Sequence, residues 1–434
     1  MMPLLWLWAC TAEKSDTAGD SGRDTADTGD TGGTGDSGDS GDSTDSGDSA
    51  DSGDSGGDSG ETGDSGSPTP ALDALLAALR ADLDGTMVTV SRDSGWPAPV
   101  EGGYLFVETG PGSWSWAGDA DDWAGEAMAR DAGFSWIVVP AAPGDGYKFT
   151  DGTTWAPDPW ARSYTYDTYG ELSLVTPDGM GHLERQYAVE GEGLQPRTLH
   201  LWVPGGTVDH VLYMEDGQNL FDPTARWGGW RLDESVPDGM LIVGIDNTGD
   251  RMEEYTHDAD LIHGTWYGGW GATYADYLQG TVRPLVQDIY GERGPVGLLG
   301  SSLGGLISFY VADQYPGEYR FAGSMSGTMG WGSIGASNET MIEIYRDAGH
   351  RDTALYLDSG GYGGCYDADG DGIEDDDPNA DDNYCENAQM RDVLNGIGYE
   401  FDVDLWHWWE PDATHDEAAW AARVWRPLEI FADL

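Results

Sequence analysis

Hydrophobic positions divide this chain into four stretches. Residues 1–9 (MMPLLWLWA) form a short apolar run, and residues 11–69 contain almost no side chain worth burying. Over residues 70–178 the apolar positions return in short pieces. PALDALLAALR predicts a short amphipathic helix, and the runs Met87–Val90, Tyr104–Val107, Phe134–Val139 and Gly146–Phe149 predict strands punctuated by Gly, Pro and Asp. Such a series predicts a small all-β sandwich. From about His182 the pattern lengthens. Continuous apolar runs at Val211–Met214, Met240–Ile245, Val296–Leu299, Ala354–Leu357 and Leu405–Trp409 read as buried strands. Helix-length segments at Tyr274–Tyr290, Gly304–Asp313, Cys385–Leu394 and Asp416–Ile430 alternate with them. Alternation of this kind predicts an α/β domain over 179–434 with a mostly parallel central sheet covered on both faces.

Charge sharpens the division. The 434 residues carry 20 Lys+Arg against 79 Asp+Glu, a formal net charge of -59. With no basic footprint to meet phosphates, nucleic acid is excluded as a partner, and so is electrostatic attachment to anionic lipid. Residues 11–70 hold 16 of the acids and only Lys14 and Arg23 as bases, which leaves 63 acids against 18 bases over 71–434. Both parts are therefore acidic. The Asp/Ser/Gly/Thr repeat of 11–69 cannot offset the entropy of folding and predicts a disordered tether spanning roughly 40 Å or more. Ahead of it, Leu7-Trp8-Ala9-Cys10 resembles a bacterial lipobox. The resemblance implies a signal over residues 1–10, lipidation at Cys10 and an exported lipoprotein of the cell envelope or surface. The nine-residue run is too short to span a bilayer, so membrane contact is expected only through that lipid.

The sharpest chemical signal is VGLLGSSLGGLISFY, residues 296–310. A buried strand runs into Gly300-Ser301-Ser302-Leu303-Gly304 and then into a helix, which is G-x-S-x-G in the setting the motif requires. The turn must be sharp, so side chains at Gly300 and Gly304 would clash, and Ser302 is lifted clear of the sheet as a candidate nucleophile. The chain order for such a fold is serine, acid, histidine. Three histidines lie downstream of Ser302. His350 precedes a strand and His407 sits within an aromatic strand, so both read as structural. His415 follows the last strand by a short loop and precedes a helix, which makes it the candidate base. The acid belongs to the loop after Ala354–Asp358, which holds Asp381, Asp382 and many other acids, so spacing alone does not choose among them.

Two resemblances add to this reading. GYKFTDGTTWAPDPW, with Tyr147, Phe149, Asp151, Gly152, Trp155, Asp158 and Pro159 at the matching positions, resembles the end of an immunoglobulin-like, glycogen-binding-type module. This implies an immunoglobulin-like sandwich over 70–178. In the larger part, DHVLYMEDGQNLFD, MLIVGIDNTGDRMEEYT, LLGSSLGGLISFY, DNYCENAQMRDVL and THDEAAWAARVWRPLEIF occur in the order seen in an esterase family. That family comprises enterochelin esterases, feruloyl and acetylxylan esterases, S-formylglutathione hydrolases and mycolyltransferases. The resemblance implies an α/β-hydrolase fold, with Asp382 as the acid ahead of Asp381 and Asp358. It implies an oxyanion hole from the amide of Leu303 together with that of Gln218 or Gly217. It also implies a serine carboxylic ester hydrolase working through an acyl-enzyme without a catalytic cofactor. Many relatives carry His where this chain has Glu215, a carboxylate expected to bear on substrate charge or to contact Arg251 or Arg226. An acyl ester of a carbohydrate or a similar extracellular ester is the expected substrate, because the acidic surface disfavours an anionic ferric siderophore. The alternatives are a siderophore (enterochelin-type) esterase, an acyltransferase, or a non-catalytic surface carbohydrate-binding protein.

Between the strand and Asp382 lies an acidic insertion, 359–381, with Asp367, Asp369, Asp371, Gly372 and Asp375 at calcium-loop spacing. Short oxygen ligands at alternate positions predict a structural Ca2+ held by Asp367, Asp369, Asp371 and Asp375. Pro378 replaces the usual glutamate, so the loop is not an EF-hand. Cys365 and Cys385 flank it and are expected to form a disulfide, which suits an oxidising compartment.

Overall fold

The computed structural model describes residues 71–434 apart from Glu292 and 376–381. Cys10, the lipobox, the 11–69 repeat and the alternative acid Asp381 lie outside the described residues. All described residues belong to one compact unit.

Mainly apolar runs become the centre of the sheet. Met240–Ile245, Val296–Ser301, Phe321–Met325 and Ala354–Ser359 are buried at every position, as strands covered on both faces must be. From one edge the order is Leu405–Trp409, Ala354–Ser359, Phe321–Met325, Val296–Ser301, His210–Glu215, Met240–Ile245, all paired in parallel. Alternate residues feed two cores. Val211 and Tyr213 pack on one face and Leu212 and Met214 on the other, the two-residue period of a strand.

Beyond Met240–Ile245 the sheet changes character, and here the expected fold class is corrected. Leu194–Val203 pairs antiparallel with Met240–Ile245, then with His182–Gly191, which joins Ser163–Asp167. The sheet continues antiparallel through Gly170–Leu174, Gly146–Thr150, Ser115–Gly118 and Glu126–Ala127, with Trp155–Ala156 on Gly146–Thr150. It is thus a 14-stranded mixed sheet with more antiparallel pairings than parallel ones, not a mostly parallel sheet. No immunoglobulin-like sandwich domain is formed either. Strands expected to make one are shared between this long sheet and a four-stranded antiparallel sheet of Ala98–Val100, Gly103–Glu108, Ser135–Val139 and Ala129–Arg130. The hairpin 182–203 is the physical reason: it gives the N-terminal strands a ladder to extend.

Met87–Val90 is also corrected. Its β-branched alternation lies inside a helix, Leu83–Asp93, started by Asp82 accepting from Gly85 N and buried along Met87 and Ser91. The expected 274–290 helix is interrupted by a π-helical segment, Leu278–Val282. The last helix is two, Glu417–Arg423 and Trp425–Ala432.

Candidate active site

Loops at the carboxyl ends of the parallel strands meet at one point, as open α/β sheets favour. After Val296–Ser301 the chain turns into the helix Leu303–Gln314 with Ser302 at φ 56° and ψ -125°. A non-glycine residue rarely adopts this conformation, and such strain gathers at functional sites. Backbone bonds hold it: Ser302 N donates to Met325 O at 2.9 Å, and Thr328 N donates to Ser302 O at 3.3 Å. The two motif glycines have no room for a side chain. A Cβ on Gly300 would lie 2.4 Å from the backbone of Gly304, and one on Gly304 would lie 2.9 Å from Glu215 Cβ.

His415 Nε2 lies 2.9 Å from Ser302 Oγ, and its Nδ1 lies 2.9 Å from Asp382 Oδ1. The sequence builds this locally. Asp416 caps the helix Glu417–Arg423 by accepting from Ala419 N at 3.0 Å, so the residue before the cap is set at the helix entrance. His350 instead pairs with Asp404 Oδ2 at 2.6 Å, and burial pushes His407 down to about 4. Neither is part of the cluster around Ser302. Asp358, the weaker candidate acid, is buried behind Asp382 and paired with Tyr356 Oη, which donates to its Oδ2 at 2.9 Å. Burial pushes its carboxyl up to about 6.

The oxyanion donors expected from the resemblance lie on two adjoining turns. Leu303 is the first residue of its helix, so its amide precedes the helical ladder. In the turn Gly217–Asn219 the first backbone bond runs from Asn219 N to Asp216 O, so the Gly217 and Gln218 amides also precede the ladder. This turn is braced throughout. Gln218 Oε1 accepts from Asn247 N at 3.1 Å, and Asn219 Nδ2 donates to Glu417 Oε1 at 3.1 Å. Asp216, at φ 58°, takes two bonds from Arg251, Nε to Oδ1 and Nη2 to Oδ2, both 2.8 Å. Arg251 thus pairs with Asp216, and the neighbouring Glu215 carboxyl receives a hydrogen bond from Tyr274 Oη. Burial pushes Glu215 up to about 8, and burial with Asp216 nearby pushes Glu417 up to about 7.

Sequence reasoning missed the support of Asp382. Its Oδ2 accepts from Ser326 Oγ at 2.8 Å and from Gly360 N, and Ser326 Oγ accepts from Trp420 Nε1 at 3.1 Å and Arg423 Nη2 at 2.7 Å. Ser326 and Asp382 both sit at positive φ, 51° and 91°. No local sequence signal announced this support, because Ser326 meets Asp382 and Arg423 meets Ser326 only across long separations in the chain.

Within the acidic insertion, residues 362–372 and Asp375 are exposed. Asp367, Asp369 and Asp371 offer carboxylate oxygens that all lie within 4.8 Å of one another. Asp375 is not in that group, and its Oδ2 accepts from Ala368 N at 2.9 Å. Backbone amides of Gly370, Asp371 and Gly372 donate to the Asp367 carboxylate. Cys365 and Cys385 are joined by a disulfide across 20 residues. The loop is tied to the following helix again by Glu374 N donating to Gln389 Oε1 at 2.9 Å.

Comparison with known proteins identifies the family of the larger part of the chain. A family model described as "Putative esterase" matches residues 198–427, a span that includes Gly217, Ser302, Asp382 and His415. Among curated proteins, an uncharacterized protein, YbbA, of Bacillus subtilis is 29% identical over 124 residues, 27% of this chain. That match spans 49% of the relative, about half its length. Among solved structures, an IroE-like serine hydrolase of Shewanella oneidensis is similar at 17% identity and a TM-score of 0.45, covering 58% of this chain and 80% of its own. An enterochelin esterase of Shigella flexneri is similar at 15% identity and a TM-score of 0.43, covering 76% of this chain and 92% of its own. Among the described residues, no helix is long and apolar enough to cross a membrane.

Proposed function

We propose that this chain, which belongs to the esterase family matched over residues 198–427, is a serine carboxylic ester hydrolase with residues 179–434 as its catalytic part. The observation that carries the reading is the line from Ser302 Oγ through His415 to Asp382, with both hydrogen-bonding distances at 2.9 Å.

His415 Nε2 takes the Ser302 proton as Oγ bonds to the ester carbonyl carbon. The carbonyl oxygen gathers negative charge against the amides of Leu303 and of Gly217 or Gln218. Each such donor is worth about 2.7–4 kcal/mol when measured by removal. Asp382 fixes the imidazole orientation and offsets its positive charge. His415 then gives the proton to the departing alcohol, and the C–O bond breaks. Water, deprotonated by the same histidine, cleaves the acyl-enzyme and restores Ser302. The substrate is an enterochelin-type siderophore ester or a carbohydrate-linked acyl ester. One panel separates the two: a catecholate siderophore, acetylated xylan, methyl ferulate and p-nitrophenyl acetate, each with the full chain and with Ser302→Ala. Turnover abolished in Ser302→Ala is expected. Undiminished turnover in that variant would overturn the reading, and ester exchange onto an added alcohol in place of hydrolysis would make the enzyme an acyltransferase.

Two further parts of the reading rest on the insertion and the chain start. Calcium held by Asp367, Asp369 and Asp371 fits the shared reach of their oxygens, and calorimetric titration of Ca2+ into the chain tests it. Export to the envelope, with Cys10 as lipid anchor, is supported by the disulfide, which persists in an oxidising compartment. Mass spectrometry of the mature amino terminus tests the anchor.

A further inference from the structure

Behind Asp382 lies a group that the reaction does not use. Arg423 is 3% exposed and stands between two buried carboxylates. Its Nε is 3.1 Å from Asp358 Oδ1, and its Nη2 is 3.5 Å from Asp382 Oδ2. The same Nη2 donates to Ser326 Oγ at 2.7 Å, and Ser326 Oγ donates to Asp382 Oδ2 at 2.8 Å. The guanidinium therefore reaches Asp382 both directly and through one hydroxyl. Both carboxylate side chains are 0% exposed, so little water screens these charges.

We propose that Asp358 and Arg423 are positioning residues that set the negative charge Asp382 presents to His415. The proposal rests on Ser302, His415 and Asp382 being the triad. A buried carboxylate needs a compensating cation to remain charged. A guanidinium given wholly to Asp382 would weaken the negative potential that stabilises the imidazolium. Asp358 divides that positive charge, so Asp382 is held in place yet keeps its effect on His415. The helix carries the arrangement as a unit: His415 precedes its cap, Trp420 packs edge-on to His415 with ring centres 5.0 Å apart, and Arg423 closes the far end. Other charged groups near His415 are Asp416 and Glu417 on the same helix start. Around Asp358 they are Arg423, Asp382, the Tyr356 hydroxyl and the more distant Arg426.

The test is the pH dependence of kcat/KM on an uncharged ester, whose acid limb reports His415 in the free enzyme. Asp358→Asn removes a negative charge and leaves Arg423 facing Asp382 alone. The acid limb should move to lower pH by roughly half to one unit. Arg423→Gln removes the positive charge, and the limb should move the opposite way by a similar amount. The double variant should return close to the parent. The Asp358 carboxyl is pushed up to about 6 by burial and is coupled to Asp382. The parent limb should accordingly be broader than a one-proton curve, and Asp358→Asn should narrow it. A merely structural role would lower the melting temperature of both variants and leave the limbs in place, or shift them in the same direction; either result overturns the proposal. If Arg423→Gln does not fold, the near-isosteric Asp358→Asn decides alone by whether its limb falls and narrows. Activity surviving in Ser302→Ala would instead overturn the triad reading itself.

Discussion

Two groups of aspartates lie within 25 residues of one another and behave in opposite ways. Asp358 and Asp382 are 0% and 3% exposed, and beside the local Tyr356 their fixed partners come from at least 22 residues away in the chain: Arg423, Ser326, Gly360 and His415. Asp367, Asp369 and Asp371 are exposed, and the hydrogen bonds they accept come from amides two to five residues away. In the first group burial turns charge into geometry, because an uncompensated charge there costs several kcal/mol and each partner is obligatory. In the second group water competes for every bond, so the local sequence shapes the loop and little else depends on it. Identical side chains are thus a structural commitment in one place and an adaptable oxygen surface in the other.

Substitutions should separate the groups by size of effect. Asp382→Asn should reduce kcat on p-nitrophenyl acetate by about 10⁴-fold, since the imidazole loses both tautomer and charge support; a loss under tenfold would place Asp382 outside the triad. Next in size is the tie between the two regions. Replacing Cys365 and Cys385 together by Ser should lower unfolding stability by about 3 kcal/mol in urea titrations, the entropy of a closed loop of this length.

A smaller effect concerns the buried side. Glu215 is pushed up to about 8 by burial, above its value in an unfolded chain. Its protonated form stabilises the fold below about 4.5, and that contribution is lost as pH rises through 8. The parent melting temperature should therefore fall from pH 5 to pH 9 by about 2–4 °C more than that of Glu215→Gln. Equal slopes would show that Glu215 is not the group responsible. Smallest of all, Asp369→Asn measured with a chelator should change stability by less than about 0.5 kcal/mol and leave kcat unaltered. A large loss without calcium would erase the contrast between the groups.

The same contrast marks what was legible in the sequence. Ser302 could be read because its requirements are local: Gly300 and Gly304 flank it within one turn, between a strand and a helix. His415 could be read from chain order and its cap, Asp416. Ser326 and Arg423 could not, since Ser326 meets Asp382 across 56 residues and Arg423 meets Ser326 across 97. Nothing near Ser326 in sequence announces a hydroxyl that orients a carboxylate. Five of the six parallel strands were evident as apolar runs, and Phe321–Met325 was not, because Gly323 and Ser324 interrupt it. The antiparallel extension was not, because His182–Gly191 and Leu194–Val203 mix buried and exposed positions and carry several charges. Met87–Val90 misled through β-branched residues whose helix is fixed by a cap at Asp82 and by burial of Met87.

The disulfide makes residues 365–385 a closed covalent ring interposed between a core strand and a core helix. A ring can be nicked without being parted. One protease cut between Cys365 and Cys385 leaves a single molecule whose two fragments stay joined through sulfur, and the strand and helix on either side keep their anchorage. Residues 366–372, on the exposed side of that ring, can therefore be cleaved or lengthened with the flanking scaffold still held in register.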